Sequence, residues 1–430
     1  MGRSRSGIAA GGMLRAAAAL VMSLMLCTGC ELLADPGEDM RPDLEPLERL
    51  PREMSAAELA VIEASNGFAF DLLRETAARE DSANIMLSPL SASMALGMTM
   101  NGARGATFAG MRDALGFAGL DQEQINASYS AFIDMLLHLD AGVDMRIANS
   151  VWARSGFAFH DSFLETVRHA FGAEVSTIDF SAPAAVPTIN QWVDRSTNGR
   201  ITEILEAIPG DMVMYLINAI YFKGDWQDRF DRSLTRDAQF TRADGSTTTV
   251  SMMSREGGFE YNADADVQIA ELRYGRGAFV MDIVLPREGR TVDELIATLD
   301  EVQWNQWIAG LDSTGMHLRM PKYRLEYDTK LNAPLIALGM GSAFGLTNDT
   351  DFTGLSPHGR DLEISVVRQK TFISVDEEGT EAAAVTSVGI RVTSMPATMV
   401  VDRPFLVVIR ERFAGAILFI GKVGDPALAQ

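Results

Sequence analysis

A chain that does covalent chemistry needs a nucleophile with a base beside it, or a set of ligands around a metal. The five histidines, His138, His160, His169, His317 and His358, provide neither pattern. None begins a His-Glu-x-x-His set, so a zinc hydrolase has no support. No Gly-x-Ser-x-Gly elbow occurs. Gly339-Met340-Gly341-Ser342-Ala343-Phe344 comes near a dinucleotide fingerprint, but Phe344 stands where the third glycine belongs and no strand pattern precedes it. A turn after the helix-like Leu335–Leu338 is predicted there. Cys27 and Cys30, the only cysteines, have Cys-x-x-Cys spacing. They close an apolar leader, and no third cysteine exists to complete a zinc site. The residues point away from an enzyme and predict no metal or organic cofactor.

What remains is a segment that is odd for a globular protein. It runs Asp376-Glu377-Glu378-Gly379-Thr380-Glu381-Ala382-Ala383-Ala384-Val385-Thr386-Ser387-Val388-Gly389-Ile390, then Arg391-Val392-Thr393-Ser394-Met395-Pro396. The three alanines suit a helix, but the Val, Thr and Gly after them do not. Counted in twos, Thr380, Ala382, Ala384, Thr386, Val388 and Ile390 share one face, all small or apolar. Glu381, Ala383, Val385, Ser387, Gly389 and Arg391 share the other, with charges at both ends. That is a one-sided strand pattern. No proline lies between Gly379 and Met395, so every backbone N–H could enter a ladder. Taken alone, the segment reads as an ordinary surface strand or loop.

The elements that would hold it come next. The chain has 430 residues, 47% hydrophobic and 22% charged, which is ordinary for a globular protein with a large core. Its net charge of −21 argues against nucleic acid and polyanions as partners. Ser55-Ala56-Ala57-Glu58 is a capping box that opens a helix carrying Leu59, Ile62, Phe70 and Leu73. Further helices are predicted over Ser91–Met100, with Pro89 near its start, and over Asp161–Phe171. Met214–Phe222, Phe279–Leu285 and Leu318–Tyr327 read as strands. Phe405–Arg410 and Ala416–Val423 flank a hairpin turn at Phe413-Ala414-Gly415. Helices gather early and strands late, which predicts one large α+β domain over residues 55–426.

Several segments along that domain resemble the serpin family in order and content. They are Phe68-Ala69-Phe70-Asp71-Leu72, Asn84-Ile85-Met86-Leu87-Ser88-Pro89-Leu90-Ser91, Ile189-Asn190-Gln191-Trp192-Val193 and Thr197-Asn198-Gly199-Arg200-Ile201. Asn218-Ala219-Ile220-Tyr221-Phe222-Lys223-Gly224-Asp225-Trp226 is the most specific. Met320-Pro321-Lys322-Tyr323, Asp351-Phe352-Thr353-Gly354-Leu355, Arg403-Pro404-Phe405 and Phe419-Ile420-Gly421-Lys422-Val423 complete the series. The resemblance spans about Ala64 to Pro426. It implies a serpin fold of three β-sheets, about eight to nine helices and an exposed reactive-centre loop. It implies an inhibitor of serine proteases whose loop is cut as bait and inserts into its own sheet, forming a covalent complex as a monomer. A non-inhibitory binding protein or chaperone on the same fold is the alternative.

The resemblance also assigns roles by position. The hinge is Gly379, Thr380, Glu381, Ala382, Ala383 and Ala384, whose small residues are the inhibitory pattern. Family spacing counted from Glu377, and again back from Pro404, sets the scissile bond at Thr393–Ser394. Thr393 beside Val392 suits an elastase-like or subtilisin-like protease; Arg391 and Met395 are rival cut positions. Ser88, Ser91 and Asn218 match a polar cluster beneath the sheet, with Gln369 where the family usually has His. Glu377 and Lys322 match an ion pair at the top of the sheet, near Trp226. Upstream, Arg3, Arg5 and Arg15 and the apolar run Ala16–Leu26 read as a signal peptide over residues 1–29. Leu26-Cys27-Thr28-Gly29-Cys30 resembles a bacterial lipobox, which implies a lipid on Cys30, although the usual Leu position holds Cys27. Residues 30–54, rich in proline and acid, read as an extended tether. Export follows, with the protein anchored at the cell envelope through that lipid alone or released outside it.

Overall fold

The computed structural model describes residues 45–380 and 397–428. Cys30, Glu381–Ala384 and the Thr393–Ser394 bond lie outside the described residues. Among those described, nine α-helices form: α1 (Ala56–Ala77), α2 (Pro89–Met100), α3 (Gly105–Ala114), α4 (Gln122–His138), α5 (Asp161–Phe171), α6 (Ala185–Ser196), α7 (Val292–Thr298), α8 (Glu301–Ala309) and α9 (Asn332–Leu335). Helix α1 starts where the capping box says. Ser55 Oγ accepts from the Glu58 amide (3.2 Å), and Glu58 Oε2 accepts from the Ser55 amide (2.8 Å). Helix α2 begins with Pro89 and is buried along nearly its whole length, as an apolar, charge-free helix must be.

Among the described residues, fifteen strands make three sheets. In chain order they are β1 (Asn84–Leu87), β2 (Val143–Arg154), β3 (Glu174–Ile178), β4 (Met214–Asp225), β5 (Arg236–Thr241), β6 (Thr247–Ala263), β7 (Val267–Tyr274), β8 (Phe279–Pro286), β9 (Asp312–Pro321), β10 (Tyr323–Lys330), β11 (Arg368–Val375), β12 (Gly379–Thr380), β13 (Ala397–Val400), β14 (Phe405–Glu411) and β15 (Ile417–Val423). One nine-stranded sheet runs β1-β15-β14-β8-β7-β6-β9-β13, with β5 beside β6. A four-stranded sheet runs β12-β4-β2-β3, and β10 pairs with β11 alone. Strands β8, β14 and β15 are buried at every position, which explains their unbroken apolar runs.

Two departures from the sequence reading have simple causes. Leu318–Tyr327 is not one strand. Leu318 and Met320 are buried in β9, then Tyr323, Leu325 and Tyr327 in β10, so the buried parity slips by one at Lys322. There the chain leaves one sheet for another. Residues 45–54, read as tether, lie against the domain. The Leu47 amide donates to Arg276 O, Arg412 Nη2 donates to Leu47 O (both 2.8 Å), and Leu47, Leu50 and Met54 pack on the core. The expected turn after α9 is present, with Gly339 at φ +107°.

One buried feature had no sequence signal. Arg410 is 2% exposed and spans two carboxylates, Asp282 on β8 (Nε to Oδ2, 2.7 Å) and Glu271 on β7 (Nη2 to Oε2, 2.6 Å). Burial, then the Glu271 charge, pushes the Asp282 carboxyl up despite that guanidinium. Arg410→Met should therefore destabilise the fold by about 3–5 kcal/mol, since it strands two buried acids. The denaturation midpoint in guanidinium chloride reads this out, and an unchanged midpoint would contradict it.

Candidate functional site

Among the described residues, strands β4 and β11 are not paired with each other and leave a gap, whose lower part both line. Of the described strands only β12, two residues long, pairs with β4 along that edge. Gly379 pairs with Asp225 and Thr380 with Gly224, antiparallel to β4. This junction is built closely. Gly379 has φ +150°, and a Cβ on it would lie 2.2 Å from Gly224 O, so only glycine fits. Thr380 is 3% exposed, with its Oγ1 3.0 Å from the Tyr274 hydroxyl. Burial holds that hydroxyl well above its usual pKa, so it stays neutral.

Trp226 fastens the turn that leads into β12. Its amide donates to Glu378 O (2.7 Å) and its indole N–H to Asp376 O (2.9 Å), while its ring stacks on Tyr274 at 4.4 Å. Lys322 Nζ donates to Glu377 Oε2 (2.8 Å), and the Thr235 hydroxyl donates to Glu377 Oε1 (2.9 Å). Burial alone would raise the Glu377 carboxyl; those bonds, with the backbone, outweigh it and hold the carboxyl below its usual value. Glu378 is fully buried and ion-paired with Arg232. The structure therefore brings Glu377, Lys322 and Trp226 together at this turn. Tyr274, Thr235 and the Arg232–Glu378 pair were missed, because none lies in a quoted motif.

Lower down, the gap opens into a cavity of about 730 Å³ lined by residues of β4, β11 and α2. The predicted polar cluster divides across it. On the β11 side Gln369 Oε1 accepts from the Ser88 amide (2.9 Å) and Gln369 Nε2 donates to Ser88 O (2.8 Å). Ser88 Oγ donates to Leu418 O (2.9 Å). On the β4 side Asn218 bonds to neither serine. Its Nδ2 donates to Asn149 Oδ1 on β2 (2.6 Å) and reaches Met94 Sδ of α2 (3.7 Å). Ser91 is buried on α2 and lines the cavity. Asn149, opposite Asn218 in the β2–β4 register, was not foreseen. Among the described residues no group of His, Cys, Asp or Glu could hold a metal ion, and no helix is long and apolar enough to cross a membrane.

Residues 63–426 match the family model described as serpin (serine protease inhibitor), and the chain belongs to that family. It is 35% identical to an alpha-1-antitrypsin homolog of Cyprinus carpio, over 75% of this chain and 86% of that one. It is 34% identical to the leukocyte elastase inhibitor of Sus scrofa, over 84% and 98%. Among solved structures, the native state of the thermophilic serpin tengpin superposes with a TM-score of 0.78 at 32% identity, covering 89% of this chain and 97% of that one.

Two predictions follow from these geometries. A depressed folded-state pKa means that Glu377 stabilises the fold above its unfolded pKa, near 4.3–4.5, and that this is lost as pH falls through the lower folded value. Glu377→Gln should thus melt below wild type at pH 7, with the difference shrinking as pH drops below about 4.5. A difference independent of pH would oppose the ion pair's role. Gln369 cannot gain charge where it grips Ser88. The inhibition rate on a fixed protease, corrected for that protease's own pH profile, should stay flat between about pH 5 and 8, the range in which a histidine changes charge.

Proposed function

We propose that the chain is an inhibitory serpin, a suicide substrate of serine proteases. The observation that carries this reading is the hinge. Gly379 and Thr380 already pair with β4 on the edge that faces β11, and Thr380 is buried with its hydroxyl against Tyr274. The following Ala382 and Ala384 are small as well. A bulky or charged residue at these positions would stall entry.

The reaction balances as an acyl transfer interrupted halfway. The protease serine attacks the Thr393 carbonyl, the bond to the Ser394 nitrogen breaks, and that nitrogen leaves as an amine carrying the proton. Thr393 is then held as an ester. The freed loop enters the gap by β-strand addition, the mode to which serpin loop insertion belongs. Cross-strand pairs contribute roughly 0.2–1 kcal/mol each, and burial of Val388 and Ile390 about 1.5–3 kcal/mol each. Insertion along both walls releases on the order of 10 kcal/mol, which the uncut state holds in reserve. The ester must be carried away before water resolves it.

The bond Thr393–Ser394 fits a protease with a small apolar primary pocket, of elastase or subtilisin type. The similarity to a leukocyte elastase inhibitor supports the first. Lipidation of Cys30 would anchor the domain at the cell envelope by one chain.

Incubation with elastase-type and subtilisin-type proteases, followed by denaturing gels, tests the reading. We expect a covalent complex and release of a fragment beginning at Ser394. Thr380→Arg should abolish the complex while leaving the bond cleavable. Clean cleavage of the wild type without a complex would sink the inhibitory reading and leave a binding protein on the same fold.

A further inference from the structure

The turn that leads into β12 carries three acids in a row, Asp376, Glu377 and Glu378, and the segment from Trp226 to Thr235 grips each of them. Every carbonyl of the turn accepts from that segment. The Trp226 indole N–H donates to Asp376 O (2.9 Å), the Phe230 amide to Glu377 O (2.8 Å) and the Trp226 amide to Glu378 O (2.7 Å). The Asp376 amide donates onward to Gly379 O (2.9 Å), and Gly379 and Thr380 then pair with β4. Where the turn stands therefore decides where the hinge begins.

The side chains are held less evenly. Glu377 has two partners, Lys322 Nζ and the Thr235 hydroxyl. Asp376 Oδ1 accepts from the Glu378 amide (2.9 Å). Glu378 is 0% exposed, and no amide or hydroxyl donates to either of its carboxylate oxygens. Among the described residues its one polar side-chain partner is the Arg232 guanidinium, and the Arg232 side chain is itself 55% exposed. Arg232 opens a 3₁₀ turn (Arg232–Leu234) in which Asp231 Oδ1 accepts from the Ser233 amide (2.8 Å). Phe230 before it and Thr235 after it both hold Glu377, so the guanidinium is set against Glu378 from two sides. The pair is unequal. A cation in contact with water tolerates losing its acid, whereas a sealed carboxylate that loses its cation must take up a proton or leave for water. The adjacent charges of Asp376 and Glu377 add repulsion. Leaving would pull Glu378 O off the Trp226 amide and carry Gly379 with it.

We infer that Arg232 is a positioning residue for the bait reaction: its charge keeps Glu378 buried, and the buried Glu378 keeps Gly379 and Thr380 on the edge of β4. The inference rests on the inhibitory reading above and adds to it a residue outside the bait loop.

The test uses the full, uncut chain and hydrogen–deuterium exchange, which reads local opening without any protease. In Arg232→Gln, peptides covering residues 226–230 and 376–380 should exchange roughly tenfold faster or more, while peptides of β8 and β14 keep the wild-type rate. Arg232→Lys and Glu378→Gln should each stay near wild type, and Arg232→Gln combined with Glu378→Gln should regain most of the protection. Wild-type rates in Arg232→Gln, loosening that reaches β8 and β14 equally, or no recovery in the double variant would overturn the inference. With a protease that forms the covalent complex, Arg232→Gln should shift the products from complex toward cleaved inhibitor, and Arg232→Lys should not. An unchanged product ratio would refute the role in the reaction even if the turn loosens. A wild type that is cleaved without complex defeats the inhibitory reading and the reaction role with it, whereas the exchange rates still decide whether Arg232 holds the turn.

Discussion

Two strands that line one cavity without pairing with each other must each be held from the outside. Strands β4 and β11 stand in that relation among the described residues. Their outer neighbours hold them firmly. β2 registers with β4 over eleven pairs and β10 with β11 over eight. The nine-stranded sheet behind them is buried on both faces along β8, β14 and β15 and supplies a rigid body. Among the described residues, the break between the two walls runs along one seam. At the top the seam is already joined by Gly379 and Thr380; in the middle the Gln369–Ser88 clasp fixes one wall and the Asn149–Asn218 pair fixes the other. Neither clasp crosses the gap, so both walls can accept a strand without first breaking a shared bond.

Much of this was legible in the sequence because it is written in local patterns. The capping box at Ser55–Glu58, the Pro89 start of α2 and the period of Asp161–Phe171 each depend on neighbours a few residues away, and each gave its element. The long apolar run of β4 was legible as a strand but not as a strand with two different cores. Tyr215, Ile217 and Ala219 join Trp152 and Trp192 beneath α6, while Leu216, Ile220 and Phe222 face the main core. Long-range polar pairings were not legible. Arg410 with Asp282 and Glu271, Glu378 with Arg232, and Thr380 with Tyr274 join residues more than a hundred positions apart, and no spacing rule reaches that far. The family resemblance supplied Glu377 and Lys322; only the geometry supplied their third partner, Thr235. The strand break at Lys322 was invisible because both halves alternate correctly and only their parity differs.

The two faces of the loop can be understood from the two sides of β4. An entering strand must pass α2 and the main core on one side, and the cluster under α6 on the other. The Trp152–Trp192 edge contact, with ring centroids 6.3 Å apart, ties α6 to β2 over that outer face. The described hinge already shows how little room the entrance leaves: Gly379 abuts Gly224 O and Thr380 packs its hydroxyl against Tyr274. A residue larger than glycine at 379 meets backbone that cannot move aside without opening the β4–β2 ladder. Size at the hinge is therefore set by the β4 backbone and the Tyr274 ring, and not by exposure to solvent.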